Sequence, residues 1–150
     1  MPSPAVSPPH VLIIEARFYV HLADMLLAGA RQALDGAGAR QTLLTVPGVL
    51  EIPAALEMAV ASRRGYDAFV VLGTAIRGES DHYDHVCHEC MRGCTELSLR
   101  HHLALGNGVL TVHDEAQALM RADPARKDIG GLAARAALGM LAIKRQLQQN

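Results

Sequence analysis

The sequence of 150 residues predicts an α/β protein, a three-layer α/β/α sandwich with a four-stranded parallel sheet. Two observations lead to this prediction. Short apolar runs of strand length alternate along the chain with longer segments of helical periodicity. The apolar runs are nearly continuous, which is typical of parallel strands that are buried on both faces by helices.

Each predicted strand is a short apolar run that ends at glycine or at polar residues. The strands are Val11–Ile14, Thr42–Val46, Ala68–Leu72 and a fourth in two pieces, Leu103–Leu105 and Val109–Val112. The third strand is expected to end at Gly73. The fourth is expected to break at Gly106, Asn107 and Gly108, because glycine inside a strand pattern often marks a turn or bulge.

Apolar residues at helical spacing predict helices between and after the strands. The helices are Leu22–Leu34, Ile52–Ser62, His85–Leu99, a short helix that runs from its cap at Asp114 through Met120, and Gly131–Leu147. Pro53 is tolerated because it falls in the first turn of its helix. Gly36 and Gly38 end the first helix.

Composition indicates a globular domain without a nucleic-acid or membrane partner. The formal net charge is −1, which indicates no electrostatic footprint for nucleic acid. No apolar stretch has the length of a membrane span. Residues 1–10 are rich in Pro and Ser and lack the apolar core of a signal peptide, so we interpret them as a flexible arm before one domain at residues 11–150. We therefore expect a cytoplasmic protein.

A cluster of Cys and His residues raises the question of a metal site. Its members are His82, His85, Cys87, His88, Cys90 and Cys94. Structural zinc sites usually combine short Cys/His knuckles from two chain segments, whereas this set lies on one predicted helix. The three cysteines are therefore interpreted as small buried hydrophobes in a reducing compartment, and no metal site is predicted.

Polar and aromatic residues follow the predicted strands, where ligands of open α/β sheets bind. These residues are Phe18, Gly48–Glu51, Thr74–His82 and Asn107, and we expect them to converge on one edge of the sheet. Backbone N–H groups beside Gly78 suit an anion. His82 carries the side-chain type best suited to proton transfer near neutral pH.

Four motifs occur in one order along the chain. They are EARF at Glu15–Phe18, VPGVLEIP at Val46–Pro53, LGTAIRGES at Leu72–Ser80 with His82 after it, and GVLT at Gly108–Thr111 followed by EAQA. In this order and spacing the chain resembles the 6,7-dimethyl-8-ribityllumazine synthase family. The resemblance runs from Val11 to Leu147 and implies a flavodoxin-like fold.

The resemblance also implies an activity. Members condense 5-amino-6-(D-ribitylamino)uracil with 3,4-dihydroxy-2-butanone 4-phosphate, release phosphate and water, and form the lumazine in the penultimate step of riboflavin synthesis. It implies no cofactor, and a homo-oligomer (a pentamer or a multiple of pentamers) with active sites at subunit interfaces. The alternative is a non-catalytic oligomeric shell that binds flavin or lumazine, because a fold does not guarantee activity.

The resemblance further implies the roles of individual residues. The pyrimidine and its ribityl chain would contact Phe18, Val49, Leu50, Glu51, Thr74, Ala75, Ile76 and Asn107. Phe18 would stack on the ring. The phosphate would be bound by backbone N–H groups of Glu79 and Ser80 and by Arg121 of a neighbouring subunit, whose planar fork suits phosphate. His82 would be the catalytic acid and base.

Two positions depart from the pattern of many relatives. Ile129 stands where they carry a lysine, which leaves either Lys127 as a substitute or Arg121 alone for the phosphate. Asn107 stands where they carry an aromatic residue. The second wall of the ring slot would then be polar, again supplied by an adjacent subunit.

Overall fold

The computed structural model describes residues 7–149, and in them four parallel strands lie between two layers of helices. The strands are β1 His10–Ala16, β2 Arg40–Val46, β3 Ala68–Ile76 and β4 Leu105–Val112. The helices are α1 Val20–Gly36, α2 Ile52–Ala61, α3 His82–His101, α4 Glu115–Ala122 and α5 Ile129–Gln148, with a 3₁₀ turn at Val49–Glu51 before α2. The predicted three-layer α/β/α class is confirmed.

The sheet has the strand order β2-β1-β3-β4, and every neighbouring pair is parallel. The chain moves from β1 outward to β2 and then returns to the other side of β1 to form β3. After β1 it crosses one face of the sheet as α1, and after β3 it crosses the opposite face as α3. The two connections therefore diverge and leave a crevice at the carboxyl ends of β1 and β3.

Each face of the sheet has its own hydrophobic core. Helices α1, α4 and α5 cover one face, which carries Ile13 and Val70. Helices α2 and α3 cover the other, which carries Ile14 and Val71. All of these strand residues are fully buried. Burial on both faces explains why β1 and β3 appear in the sequence as continuous apolar runs instead of alternating ones.

Glycines that were expected to end or break strands lie inside them. β3 continues through Gly73 to Ile76, and β4 is unbroken through Gly106 and Gly108. Both predictions were wrong because these glycines allow close packing. A Cβ at Gly106 would lie 1.8 Å from the Ala133 carbonyl oxygen in α5, and one at Gly73 would lie 2.9 Å from Val49 Cγ2. Such close approach is a further use of glycine within strands.

Most element boundaries differ by a few residues from the sequence-based prediction, and three of these differences change the element to which a residue belongs. α3 begins at His82 instead of His85. Leu103 does not begin β4; its N–H donates to the Ser98 carbonyl oxygen at 2.9 Å and so closes the end of α3. β1 begins at His10, which had been assigned to the arm and whose N–H donates to Asp67 Oδ2 at 2.8 Å.

Two further expectations concern the ends of the chain and the membrane. Residues 1–6 of the predicted arm lie outside the described residues, and the division into an arm and one domain stays a prediction. Between residues 7 and 149, no helix is both long enough and apolar enough to cross a membrane.

The packing of β4 against α5 generates a stability prediction with a matched control. Gly106→Ala should lower the free energy of unfolding by about 1–3 kcal/mol, because its methyl group meets the α5 backbone. Gly139→Ala, at a helical site with nothing within 4 Å of the new Cβ, should raise it by up to about 1 kcal/mol. Denaturant unfolding at one fixed protein concentration measures both. Equal effects of the two substitutions would contradict the packing argument.

Candidate functional site

A cavity of about 460 Å³ opens at the carboxyl ends of β1 and β3, where the two chain connections diverge. Its lining residues come from the segments that follow β1, β2 and β3: Phe18, Tyr19, Gly48, Val49, Leu50, Glu51, Ala75, Ile76, Gly78, Ser80, His82, Tyr83 and Val86. This volume suits a small organic ligand. The position is the one at which open α/β sheets bind their ligands.

One wall of the cavity is formed by Phe18 in the short connection between β1 and α1. Its side chain is 75% exposed, although it is one of only two phenylalanines in the chain. It contacts Tyr19 edge to face, with ring centroids 5.0 Å apart. An aromatic ring at a cavity rim offers a broad apolar face for stacking with a planar ligand.

A second wall is formed by the 3₁₀ turn at Val49–Glu51. Val49 is buried against β3 in the space that Gly73 leaves open. Leu50 and Glu51 are exposed and face the cavity. Glu51 lies immediately before α2, where the helix dipole favours a carboxylate. The turn therefore presents one apolar and one anionic side chain beside backbone groups.

The end of β3 contributes Ala75 and Ile76 to the cavity but not Thr74. Side chains alternate between the two faces of a strand, so Thr74 shares the α1 and α5 face with Leu72, while Ala75 lies on the other face. Thr74 is buried, and its hydroxyl has no hydrogen-bond partner within residues 7–149. Thr74 is therefore not among the residues that line the cavity, because β3 extends beyond Gly73 and fixes the alternation. Its contact with the pyrimidine stays a prediction.

The loop after β3 brings the predicted anion site and the predicted proton-transfer group together. Gly78, Ser80 and His82 all line the cavity. His82 is the exposed first residue of α3, and its backbone N–H lies 3.4 Å from Ser80 Oγ. Glu79 lies between two lining residues without lining the cavity itself. Free N–H groups in the first turn of a helix favour an anion at this point.

Tyr83 is a lining residue that the sequence did not identify. The Arg77 guanidinium lies 5.5 Å from the centre of its ring and also pairs with Asp84 at 3.3 Å. Burial, aided by the neighbouring Cys87, raises the pKa of Tyr83, while a hydrogen bond with Thr111 and the charge of Arg77 lower it less. The phenol therefore stays protonated beside the cavity and keeps an O–H donor there. The sequence signal that could have identified Tyr83 as a site residue is its position next to His82.

The Cys and His cluster on α3 separates into different environments. Cys90 and Cys94 are buried in the core formed with α2, which confirms their interpretation as small hydrophobes. A hydrogen bond to Cys94 and burial raise the pKa of Cys90, so this thiol stays protonated. In the described part of the chain, no group of three or more His, Cys, Asp or Glu side chains is arranged to hold a metal ion.

Comparison with known proteins identifies the family. The model of the family described as 6,7-dimethyl-8-ribityllumazine synthase matches residues 8–145. The chain belongs to this family. A 6,7-dimethyl-8-ribityllumazine synthase of Paramagnetospirillum magneticum is 64% identical over 143 residues, which cover 91% of this chain and 95% of that protein. The resemblance stated from the four motifs is confirmed.

Further relatives carry the same name. A 6,7-dimethyl-8-ribityllumazine synthase of Sphingopyxis alaskensis is 58% identical over 137 residues, covering 91% of this chain and 96% of that protein. A protein of Rhizobium meliloti named 6,7-dimethyl-8-ribityllumazine synthase 1 is 51% identical over 146 residues, covering 95% of each chain. The similarity therefore extends over the whole sheet and the segments that line the cavity.

Two residues that the family resemblance assigns to the substrates lie outside the cavity of their own chain. Asn107 lies within β4 instead of beyond a strand end, where its Oδ1 accepts from the Val109 N–H at 2.9 Å. Arg121 lies on α4, which packs through Ala118 and Ala122 on the face opposite α2 and α3. The expectation that Asn107 follows a strand end is wrong, because the flanking glycines pack inside β4.

The connection from α4 to α5 carries the other basic residue considered for the phosphate. The Lys127 N–H donates to the Met120 carbonyl oxygen at 3.2 Å, so Lys127 lies beside the turn that carries Arg121. Ile129 begins α5 and packs against the core of that face. The apolar side chain of Ile129, where the resemblance implied a lysine, is thus used in packing.

Proposed function

We propose that the protein catalyses the condensation of 5-amino-6-(D-ribitylamino)uracil with 3,4-dihydroxy-2-butanone 4-phosphate to 6,7-dimethyl-8-ribityllumazine. The reaction releases phosphate and water and is the penultimate step of riboflavin synthesis. It transfers the four-carbon unit of the phosphate substrate to the nitrogens of the uracil, so the enzyme is a transferase. Family membership over residues 8–145 supports this function. One structural observation carries it: Phe18, Glu51, Ser80 and His82 line a single cavity of ligand size.

The pyrimidine is proposed to bind against the Phe18 ring, which has an exposed face at the cavity rim. Ala75 and Ile76 form the apolar floor of the slot, and the backbone of Val49 and Leu50 supplies hydrogen bonds to the ring edge. Glu51 accepts hydrogen bonds from ribityl hydroxyls. Stacking supplies contact area, and the few polar groups fix orientation.

The phosphate is proposed to bind at the loop that leads into α3. Backbone N–H groups of Glu79 and Ser80 and the positive end of the helix dipole favour an anion there. Arg121 of a neighbouring subunit supplies a guanidinium fork. This arrangement places the leaving group next to His82, two residues beyond Ser80.

His82 is proposed to move protons between the bound substrates. Imine formation, loss of phosphate, tautomerisation and ring closure each require a proton to be added or removed. An exposed imidazole between the anion loop and the ring slot can serve these steps in turn. They are polar additions and eliminations, so the proposal includes no metal or organic cofactor.

The proposed active enzyme is a cytoplasmic homo-oligomer, a pentamer or a multiple of pentamers. The oligomer is supported by the positions of Arg121 and Asn107, which lie away from the cavity of their own chain although they are proposed to bind the substrates there. A head-to-tail interface brings such surfaces onto the next subunit and closes into a ring. The non-catalytic shell is not favoured, because the chain retains His82 and Arg121.

His82→Ala should lower kcat by about 100-fold or more, because general acid–base catalysis contributes at least that factor. The matched control is His85→Ala, an exposed histidine three residues further along α3 that pairs with Asp81 and does not line the cavity. Lumazine formation from the two substrates is the assay. An unchanged kcat in His82→Ala, or an equal loss in both variants, would remove His82 from this role.

Arg121→Ala should raise KM for the phosphate substrate by about tenfold while KM for the pyrimidine changes little. A charge-assisted hydrogen bond contributes about 1.5–3 kcal/mol, and only one substrate carries the phosphate. Arg126→Ala is the control, because Arg126 is an exposed arginine of the same region that pairs with Asp123. Steady-state kinetics with each substrate varied in turn measure both variants. Equal changes in the two KM values would contradict the assignment of Arg121 to the phosphate.

A further inference from the structure

A buried carboxylate at the carboxyl end of β1 has no role in the proposed mechanism. Glu15 is 1% exposed. Its Oε1 accepts a hydrogen bond from Arg17 Nη1 at 2.7 Å, and its Oε2 accepts one from the Thr45 hydroxyl of β2 at 2.8 Å. A buried charge is costly unless it is paired and hydrogen-bonded. Both carboxylate oxygens are occupied, so the orientation of Glu15 is fixed.

The guanidinium of Arg17 connects this carboxylate to α1. While Nη1 binds Glu15, Nη2 pairs with Asp24 Oδ1 in α1. The planar fork of arginine holds two acceptors at a defined separation, which a flexible ammonium does not. Arg17 therefore ties the last part of β1 to the beginning of α1 across the short connection between them.

Phe18 lies inside the connection that Arg17 bridges, and little else restrains it. Only residues 17–19 separate β1 from α1. Tyr19 is the N-cap of α1 but makes no side-chain capping hydrogen bond. The Phe18 side chain is largely exposed and contacts Tyr19 edge to face. The side-chain hydrogen bond of an N-cap residue, which usually fixes the entry of a chain into a helix, is therefore missing at this turn.

We propose that Arg17, held by Glu15 and Asp24, is a positioning residue that fixes the Phe18 ring at the cavity and thereby sets the affinity for the pyrimidine. This inference rests on the proposed function, in which Phe18 stacks on the pyrimidine. Glu15 is the buried anchor, and Asp24 is the second point of attachment. The guanidinium itself does not line the cavity and acts through the turn that carries Phe18.

A purely structural role for the same ion pairs would have a different consequence. It would lower the stability of the fold and affect both substrates alike. A positioning role affects the pyrimidine selectively, and its effect depends on the ring of Phe18. The test therefore uses dissociation constants, measured by titration calorimetry, for 5-amino-6-(D-ribitylamino)uracil and, as the comparison ligand, inorganic phosphate.

Asp24→Asn is the first variant, because the Asp24 side chain is 64% exposed and its loss leaves the buried Glu15–Arg17 pair intact. We expect its Kd for the pyrimidine to rise about three- to fivefold, the upper part of the range for an exposed ion pair. Arg17→Lys keeps the positive charge for Glu15 but loses the fork, and we expect a rise of about tenfold. In both variants Kd for phosphate should change by less than about twofold.

Two further variants identify the route of the effect. In a Phe18→Leu background, Asp24→Asn should have no additional effect on Kd for the pyrimidine, because residues that act as a unit are not additive. Arg92→Lys is the matched control. Arg92 also bridges two carboxylates, Glu89 at 2.8 Å and Glu96 at 3.1 Å, but on the exposed surface of α3. This variant should bind the pyrimidine as the unaltered protein does.

The positioning role is overturned if Asp24→Asn and Arg17→Lys bind the pyrimidine normally. It is also overturned if both ligands weaken equally, or if Asp24→Asn has its full effect in the Phe18→Leu background. The proposed function and the positioning role can fail separately. A protein that forms no lumazine but shows these selective shifts in Kd would contradict the proposed function and still support the positioning role of Arg17. A protein that does not bind the pyrimidine contradicts both.

Discussion

Burial of the two central strands on both faces is the constraint on which the rest of the structure depends. The apolar side chains of β1 and β3 point alternately into two separate cores, so helices must cover each face. Polar groups can gather only where these strands end. Because α1 leaves β1 toward one face and α3 leaves β3 toward the other, the ends of the two strands form a crevice instead of a closed turn. The cavity is a direct consequence of this topology.

Close contact between helices and strands makes this arrangement possible in a chain with few aromatic residues. Gly106 of β4 allows the backbone of α5 to approach at Ala133, and Gly130 allows α5 to approach the Leu26 carbonyl of α1. Because small residues take little space, the backbones of helices and strands come close together where large side chains would otherwise fill the core. This dense packing preserves the dispersion contacts of the core.

Much of this architecture could be predicted from apolar periodicity, because buried parallel strands leave a strong signal. The wrong strand ends at Gly73, Gly106 and Gly108 have one physical origin: glycine allows both turns and close approach, and only the neighbouring helix decides between them. Interpreting Gly73 as a strand end concealed the alternation that buries Thr74 away from the cavity. The same error at Gly106 and Gly108 placed Asn107 in a loop, although it lies within β4.

The candidate site was predictable where it lies in contiguous motifs. The segments around Phe18, Glu51 and His82 come together at the cavity as expected. The bond between Thr45 and Glu15 was not predictable, because it joins residues 30 positions apart, and Tyr83 was overlooked beside a more reactive neighbour. Arg121 lies on the opposite layer of its own chain. The proposed site therefore requires a cavity that one protomer forms and another completes.

Mixed assemblies of two impaired variants, assayed with the phosphate substrate well below its KM, test this claim most directly. Protomers with His82→Ala are co-expressed with protomers carrying Arg121→Ala, and lumazine formation by the purified mixture is measured. If each site combines His82 of one subunit with Arg121 of the next, random mixing in equal amounts gives about one quarter of the sites both residues. Activity well above either variant alone is the predicted result. A mixture no more active than the average of the two variants would contradict a site shared between subunits.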